Sequence, residues 1–528
     1  MPEPKSAAPH ADGQPAAETW AFALALTAAF ASVALFTALR HEMWRDELQA
    51  WLIASESRTF AELVWNMRYD GHPPLWYVLL YAASRITQNP LAMKLLHVSV
   101  ATASVLVVAR RAPFTRLQKT LFAFGYFPLY EYAAISRNYA LGILCLFAFC
   151  AAYRAGAAAK NYVALAAALA LLANTSAYGL MIALAFALML AYELWRARGG
   201  ERAALRSKWR ELTAAAVILA SGVGVSAAQM LPPRDGGNII GWRFYGSLAD
   251  VANVLRVAWR GFAPLPIPEY HFWNSNVMAP PVGAALACVV LAAAALMLAR
   301  RRPALVAFAA GAGAMLLFTL AKFHGYNRHH GHFYVLFVAC AWVAAVVPRA
   351  EAPRHKRWAR VSLFLESHKA RALVALFAVH VAAAAVACAV DWRYPFSHNQ
   401  RVAEYLRAEG FDDLYIVGDE DAMVSPVAAY LGRKIYYPRG DREGTFIVWD
   451  ADWRYWPQAD ALDAARRKAV ERGEDVLVIS NYRLGPRTPA GVVPVTEFTG
   501  SIVGDEDYFL YLVRHDAASA ELPRDTPP

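Results

Sequence analysis

Cysteine is scarce in this chain of 528 residues. The five cysteines all fall inside apolar stretches, and none forms a C-x-x-C pair: Cys145, Cys150, Cys288, Cys340 and Cys388. Isolated cysteines of this kind are typical of small buried hydrophobic residues. Their distribution argues against a disulfide framework and against a thiolate metal site.

Acidic residues are scarce as well, but only before residue 392. Residues 1–391 hold 36 basic and 19 acidic side chains, a net charge of +17, whereas residues 392–528 hold 16 and 23, a net charge of −7. A basic chain is a candidate for nucleic-acid binding, which needs a solvated basic face interleaved with aromatic residues. Here the cations stand in short clusters between apolar runs, which indicates a membrane protein and no nucleic-acid partner.

Long apolar runs mark the expected membrane spans, since about 20 mainly apolar residues are needed to cross a bilayer. Ten stretches qualify: 20–39, 91–109, 117–134, 139–153, 163–195, 212–230, 277–298, 303–321, 333–347 and 372–390. The stretch 163–195 is too long for one crossing and is interrupted by Asn174, Thr175 and Ser176. We interpret it as two spans with a short first member, which gives about eleven.

The loops between these spans predict the orientation. Five of them carry 22 basic and three acidic residues: 110–119, 154–160, 196–210, 300–302 and 349–371. Loops rich in Lys and Arg face the cytoplasm. The alternate loops are then expected outside, together with everything after residue 391: 41–90, 131–138, 231–276 and 322–332. Residues 1–19 lack the apolar core and cleavage site of a signal peptide, so we expect a cytoplasmic tail and a retained first span.

The segment 392–528 has a different pattern. Short β-rich runs at 414–417, 434–437, 446–449, 476–479 and 509–513 alternate with helix-like pieces at 426–431 and 462–472. This pattern predicts a soluble α/β domain without a glycine-rich phosphate loop or a nucleophile elbow. The expected fold is therefore a polytopic α-helical membrane protein, residues 20–391, with a C-terminal extracytoplasmic α/β domain.

Ionisable residues are dense in the first outer loop, 41–90. Asp46 and Glu47 follow the first span directly. Adjacent acids at a membrane surface are suited to proton abstraction, because burial and a like-charged neighbour move a carboxyl pKa toward its working range. The alternative is a solvated loop start that Trp44 anchors at the interface.

The same loop contains His72-Pro73-Pro74-Leu75, followed by a short apolar run that ends at Ile86. A proline pair is well placed at the start of a helix, and this helix is too short to cross. The segment therefore predicts a helix that lies along the membrane interface.

This order of elements resembles the type C (GT-C) glycosyltransferases. It is most similar to the polyprenyl-phosphate-dependent group that includes protein O-mannosyltransferases and lipid A aminoarabinose transferases. Within the classification of these enzymes it resembles glycosyltransferase family 39. The order of elements covers most of the chain, whereas the specific motifs cover about a tenth of it. The resemblance implies that Asp46 is the catalytic carboxylate, with Glu47 beside it, and that His72 binds substrate or positions the loop.

A second motif is only partly matched. Family members usually carry Glu-Ala-Arg-x-Tyr in the second outer loop, and here Ile135-Ser136-Arg137-Asn138-Tyr139 keeps Arg137 and Tyr139 but replaces the acid. Glu131 lies one helical turn earlier and is the candidate to replace it. By resemblance, Arg137 is expected at the donor phosphate and Tyr139 and Glu131 at the substrate, while a second-acid or metal-binding role stays open.

The loop 322–332 concentrates the remaining candidates. It holds Arg328, His329 and His330 where family members have an Arg-Tyr pair associated with the donor phosphate, and His324 precedes them as a loop-positioning candidate. Arginine can hold phosphate oxygens bidentately, and imidazolium adds charged donors. Four histidines in nine residues also resemble a metal cluster, although the loop contains no carboxylate, and they could equally be solvated. No cofactor is implied beyond a possible divalent cation.

The outer loop 231–276 is rich in proline and tryptophan, which is consistent either with a sugar or acceptor groove or with an aromatic belt at the interface. Together these features predict a glycosyltransferase that moves a sugar from a polyprenyl phosphate to a hydroxyl of a glycan, lipid or protein at the outer face of a bacterial inner membrane. One alternative is a transporter or flippase of lipid-linked saccharides, which would place ionisable residues within spans. Another is an O-antigen-type ligase or polymerase.

Overall fold

The computed structural model describes residues 17–237, 246–351, 355–453, 458–485 and 489–521. Most of the predicted cytoplasmic tail, residues 1–16, lies outside the described residues, as does part of the predicted outer loop, residues 238–245. In chain order the first part consists of α1 Trp20–Arg40, α2 Arg45–Glu56, α3 Phe60–Asn66, α4 Leu75–Ser84, α5 Leu91–Arg111, α6 Arg116–Ala123, α7 Tyr139–Ala152, α8 Tyr162–Ala173, α9 Ala177–Arg196, α10 Gly200–Ser207, α11 Trp209–Met230, α12 Leu248–Phe262, α13 Pro280–Leu298, α14 Arg302–Ala321, α15 Asn327–Val346, α16 Lys356–Ser367 and α17 Lys369–Arg393.

Eight of the described helices are long and apolar enough to cross a bilayer: α1, α5, α9, α11, α13, α14, α15 and α17. The other three predicted spans correspond to the shorter apolar helices α7 and α8 and to α6, which continues after a short break into a π-helix at Tyr126–Ala134. Helices satisfy their own backbone hydrogen bonds, which is what a segment in lipid requires. The chain is therefore the polytopic helical membrane protein that its sequence predicts.

The short helix predicted after the proline pair is present as α4, and it begins directly after Pro74. Helix α12, by contrast, was not predicted. It lies in the proline- and tryptophan-rich loop 231–276 and packs against α13 and α15 with Val254, Val257 and Ala258 buried. This loop is thus a partly helical element of the bundle.

Helix α15 is the central helix of the bundle. All of its residues except Ala345 are buried, and a helix buried on every side must be surrounded by other elements. Its first turn carries Arg328 and His329, so the core of the bundle holds these two side chains in place.

Gly331 on α15 sits where the π-helix passes close by, and a Cβ added there would collide with the Tyr132 hydroxyl and the Phe127 ring. We expect Gly331→Ala to lower the free energy of unfolding by about 1–3 kcal/mol, because overpacking outweighs the gain in helix propensity. Thermal unfolding in detergent measures the effect. Gly313→Ala on α14 is the control, since a Cβ there meets no atom within 4 Å. Equal stability of the two variants would contradict the close packing.

The rest of the described chain forms an α/β domain: α18 Asn399–Ala408, β1 Tyr415–Asp419, α19 Asp421–Leu431, β2 Ile435–Tyr437, β3 Arg442–Gly444, α20 Gln458–Arg472, β4 Val476–Ser480, β5 Val492–Phe498, β6 Tyr508–Val513 and α21 His515–Glu521. The strands form one sheet in the order β3-β2-β1-β4-β6-β5, in which β2, β1 and β4 are parallel. Helices α18 and α19 cover one face, and α20 and α21 cover the other. This confirms the predicted C-terminal α/β domain.

Four of the five predicted strands correspond to β1, β2, β4 and β6. The fifth, 446–449, was wrong, because this segment pairs with the membrane part of the chain rather than with the sheet. The Gln49 amide donates to the carbonyl of Ile447 (2.8 Å) and accepts from its N–H (3.0 Å). Two further contacts hold the domain to the start of α2, from Asn399 to the Met43 carbonyl (2.7 Å) and from Arg45 to Asp505 (2.7 Å).

Candidate active site

A cavity of about 530 Å³ lies between the bundle and the α/β domain. Its walls come from α2, the loop before α4, the first turns of α7, α9 and α15, the segment after α11 and the α/β domain. The charged residues of its lining are Arg45, Asp46, Arg68, Asp70, His72, Arg137, Lys322, Arg328 and His329. The outer loops that the sequence marked as functional therefore converge on one cavity.

Asp46 stands in the first turn of α2 and forms two ion pairs there. Its Oδ2 lies 3.0 Å from Nη2 of Arg328 and 3.6 Å from Nη1 of Arg137, which also donates to the Asp46 carbonyl. Burial alone would raise the pKa of this carboxyl, but the two arginines hold it below its usual range. The three predicted residues are thus brought together as one charged cluster.

Arg328 is held in an aromatic cage. Its guanidinium carbon lies 5.2 Å from the Trp44 ring centroid, 5.4 Å from that of Trp273 and 4.7 Å from that of Tyr326. Within the described part of the chain, its buried Nε and Nη1 have no hydrogen-bond acceptor. Buried donors are rarely left without an acceptor, so Arg328 has two donors available beside the one that is paired with Asp46.

Glu131 stands behind this cage rather than in the cavity. Its Oε1 accepts hydrogen bonds from the Tyr126 hydroxyl (2.8 Å) and from Nε1 of Trp273 (3.1 Å). The carboxylate therefore orients the ring on which Arg328 stacks. This contact supports a positioning role for Glu131, whereas direct binding of substrate stays a prediction without a contact to support it.

Glu47, the neighbour of Asp46, is fully buried and does not line the described cavity. Its carboxylate accepts from the backbone N–H groups of Trp44 (3.1 Å) and Ser136 (2.5 Å) and lies 3.0 Å from Nε2 of His41. Burial opposes its ionisation, but His41 and these hydrogen bonds hold its pKa below the usual range. The geometry favours an anchoring role for Glu47 over the predicted catalytic one.

His41 completes this buried network, with Nδ1 2.9 Å from Asp391 at the end of α17. Burial alone would lower its pKa, but Asp391 and Glu47 on either side raise it to about 9. His41 thus stays protonated to a higher pH in the folded protein than in the unfolded chain, where its pKa is 6.5.

We expect the stability that this network contributes, on the order of 3 kcal/mol, to be fully present below pH 6.5 and to be lost as the pH rises through about 9. Thermal unfolding in detergent across this range measures it. His41→Gln should be less stable at pH 6.5 and should lose less stability on the way to pH 9. A variant with the same pH dependence as the natural protein would refute the assignment.

The predicted histidines separate into two groups. His329 lines the cavity, where its Nδ1 accepts from the Tyr326 N–H (2.9 Å) and its Nε2 lies 2.9 Å from the Tyr139 hydroxyl. His330 instead faces the His324 carbonyl, with Nε2 at 3.0 Å, and neither of these two residues is part of the described cavity lining. A phosphate-binding role for His330 and a loop-positioning role for His324 stay predictions. The described residues hold no group of three or more His, Cys, Asp and Glu arranged to bind a metal ion.

His72 also lines the cavity, and Asp70 holds it in place. Nδ1 of His72 lies 2.6 Å from the Asp70 carbonyl and 3.3 Å from its carboxylate. The Tyr77 hydroxyl and the Gln49 amide, at 3.4 Å, donate to the same carboxylate. Gly71, with a φ of +65°, makes the turn between the two residues.

Several cavity residues were not predicted. Asp70, Gln49 and Arg45 belong to the same outer loop as Asp46, so proximity in sequence was an available signal. The α/β domain contributes Ala422, Ser425, Ile447 and Trp449, and no local pattern distinguishes these residues from others in that domain. They reach the cavity only because the domain docks on α2.

No protein-family model matches this chain, and no curated protein matches it. Its structure is similar to ArnT from Cupriavidus metallidurans bound to undecaprenyl phosphate, with a TM-score of 0.51 and 13% identity over 95% of this chain and 99% of that one. The apo state of the same ArnT gives a TM-score of 0.50 and 14% identity with the same coverage. At this identity the likeness shows the fold. The bundle with its C-terminal α/β domain therefore has an ArnT-like fold, as the sequence resemblance implied.

Proposed function

We propose that this protein is a membrane glycosyltransferase that moves a sugar from a polyprenyl-phosphate-linked donor to an acceptor hydroxyl on a glycan, lipid or protein. The observation that carries the proposal is the pair Arg137 and Arg328 beside Asp46, in a cavity that a membrane bundle builds. The fold supports it, because ArnT with undecaprenyl phosphate bound has the same architecture.

The proposed reaction is a displacement at the anomeric carbon. The acceptor oxygen attacks from the side opposite the phosphate, its proton passes to the Asp46 carboxylate, and the bond from the sugar to the phosphate oxygen breaks, which inverts the centre. The leaving polyprenyl phosphate is an anion and needs charge stabilisation rather than a proton. Arg328 and Arg137 supply it, and His329 and Tyr139 complete the wall behind them.

We also propose the location of the reaction. The 22 cations of the loops that the charge rule assigns to the cytoplasm support a cytoplasmic N-terminus and an extracytoplasmic cavity and α/β domain. A lipid-linked donor would then reach the cavity from the membrane itself. The expected setting is the inner membrane of a bacterium.

Transfer of label tests the proposal. The purified protein in proteoliposomes is given a radiolabelled polyprenyl phosphate sugar and a mixture of glycan, lipid and protein acceptors. Label on an acceptor, with release of polyprenyl phosphate, is the expected result. Movement of intact donor across the bilayer without cleavage would instead support the transporter alternative, and transfer of whole preassembled glycan chains would support a ligase.

A further inference from the structure

We propose that Asp46 occupies the place of the donor phosphate in the unliganded cavity and leaves Arg328 and Arg137 when the donor binds. The catalytic carboxylate would then become free only when the sugar to be transferred is in place. This inference rests on the proposed function and adds to it an order of events within the same cavity.

The first argument is that only one partner of the ion pair can move. The Arg328 side chain is 6% exposed and fixed by three aromatic rings, whereas the Asp46 side chain is 30% exposed and lines an open cavity. Asp46 is also in the first turn of its helix, where a side chain can change rotamer without moving the backbone. An entering anion would therefore displace the carboxylate and leave the cage intact.

The second argument is that Asp46 satisfies the arginine poorly. Of the three guanidinium nitrogens of Arg328, the Asp46 carboxylate contacts only Nη2. Nε and Nη1 stay buried without an acceptor within the described residues. A phosphate group offers several oxygens in a geometry that a guanidinium binds bidentately. Phosphate thus satisfies donors that the carboxylate leaves open, and this difference favours the exchange.

The third argument concerns the charges around Asp46. The groups that act on it are Arg137 before α7, Arg328 on α15, Arg45 on α2 and His72 in the loop before α4. Exchange pairs the first two with phosphate instead of with Asp46. The carboxyl pKa then rises toward its ordinary range, which makes Asp46 a stronger base for the acceptor proton.

Binding of a phosphodiester tests the exchange without any sugar transfer. The probe is farnesyl methyl phosphate, whose single charge stays constant from mildly acidic to neutral pH, added to the full-length protein in nanodiscs and followed by calorimetry. If Asp46 competes for the arginines, Asp46→Asn should bind the probe about tenfold more tightly.

Asp505→Asn is the matched control. It removes one negative charge at the same rim of the cavity, where Asp505 pairs with Arg45 and is 43% exposed. We expect its probe affinity to change by less than about twofold, the scale of an exposed pair. The inference fails if Asp46→Asn binds the probe equally or more weakly, or if both variants gain affinity alike.

Failure of the exchange can be told apart from failure of the proposed function. If the natural protein transfers sugar but Asp46→Asn gains no affinity for the probe, the proposed function stands and the proposed exchange is wrong. If the natural protein transfers no sugar but Asp46→Asn binds the probe more tightly, the proposed exchange stands and the proposed function is wrong. Asp46→Ala is the second variant should Asp46→Asn fold poorly, because it also removes the competing carboxylate.

Discussion

Asp46→Asn is expected to abolish sugar transfer while the protein stays folded and still binds the donor. Asparagine has nearly the same shape as aspartate but cannot accept the acceptor proton, and positioned general bases contribute on the order of 10²–10⁴-fold to rate. We therefore expect kcat to fall by at least about a hundredfold. The loss should appear in kcat, and the donor KM should fall rather than rise, because the arginines that hold the phosphate are unchanged and no carboxylate competes for them.

The measurement is initial-rate transfer in proteoliposomes, with kcat and donor KM determined separately. Glu62→Gln is the control, since Glu62 is an exposed carboxylate on α3 that accepts from the Arg58 N–H. This control should have the rate of the natural protein. Turnover of Asp46→Asn at the natural rate would remove Asp46 from the mechanism and leave the phosphate-binding proposal standing.

The membrane architecture follows from the sequence because the bilayer imposes simple constraints. A span must be apolar along its length, so length and hydropathy alone predict the eight long apolar helices of the described chain. The short elements are predicted only in part. Helix α8 has only 12 residues, and the break at Asn174, Thr175 and Ser176 predicts this short length. The continuation of α6 into a π-helix after a break has no comparable signal in hydropathy.

The strands of the α/β domain likewise divide into those that the sequence predicts and those that it does not. Strands β1 and β4 are central, apolar and buried throughout, and the sequence predicts both. Strand β5 pairs only with β6, exposes part of its length and contains Pro494, which is typical of an edge strand and weakens its signal. Strand β3 has three residues with a charged residue at two of them, too few for any periodicity.

In the candidate site, charged residues could be predicted and their surroundings could not. Asp46, Arg137 and Arg328 are marked by residue type and by their outer loops, and the structure brings all three together. The cage around Arg328 joins Trp44 and Trp273, which are far apart in sequence and which local patterns assign to an aromatic belt. Only the packing of loop 231–276 on the bundle reveals their shared contact.

Arg328→Ala is expected to weaken donor binding by at least about 30-fold, roughly 2 kcal/mol. Hydrogen bonds to charged groups contribute about 1.5–3 kcal/mol each, and the guanidinium offers its unpaired Nε and Nη1 as well as its ion-paired Nη2. The affinity of Arg328→Lys should lie between those of the natural protein and Arg328→Ala, because lysine keeps the charge but loses the planar fork that fits phosphate. Calorimetry with farnesyl methyl phosphate measures all three proteins.

Arg68→Ala separates a specific loss from a general loss of positive charge. Arg68 also lines the cavity, but its guanidinium stacks on Trp65 at 3.6 Å and Tyr69 at 4.1 Å and does not contact Asp46. We expect it to bind the probe nearly as well as the natural protein. If Arg68→Ala lost as much affinity as Arg328→Ala, the cavity would attract anions by its overall charge. A loss confined to Arg328→Ala would mean that the caged arginine binds the phosphate directly, because charge alone acts on both positions.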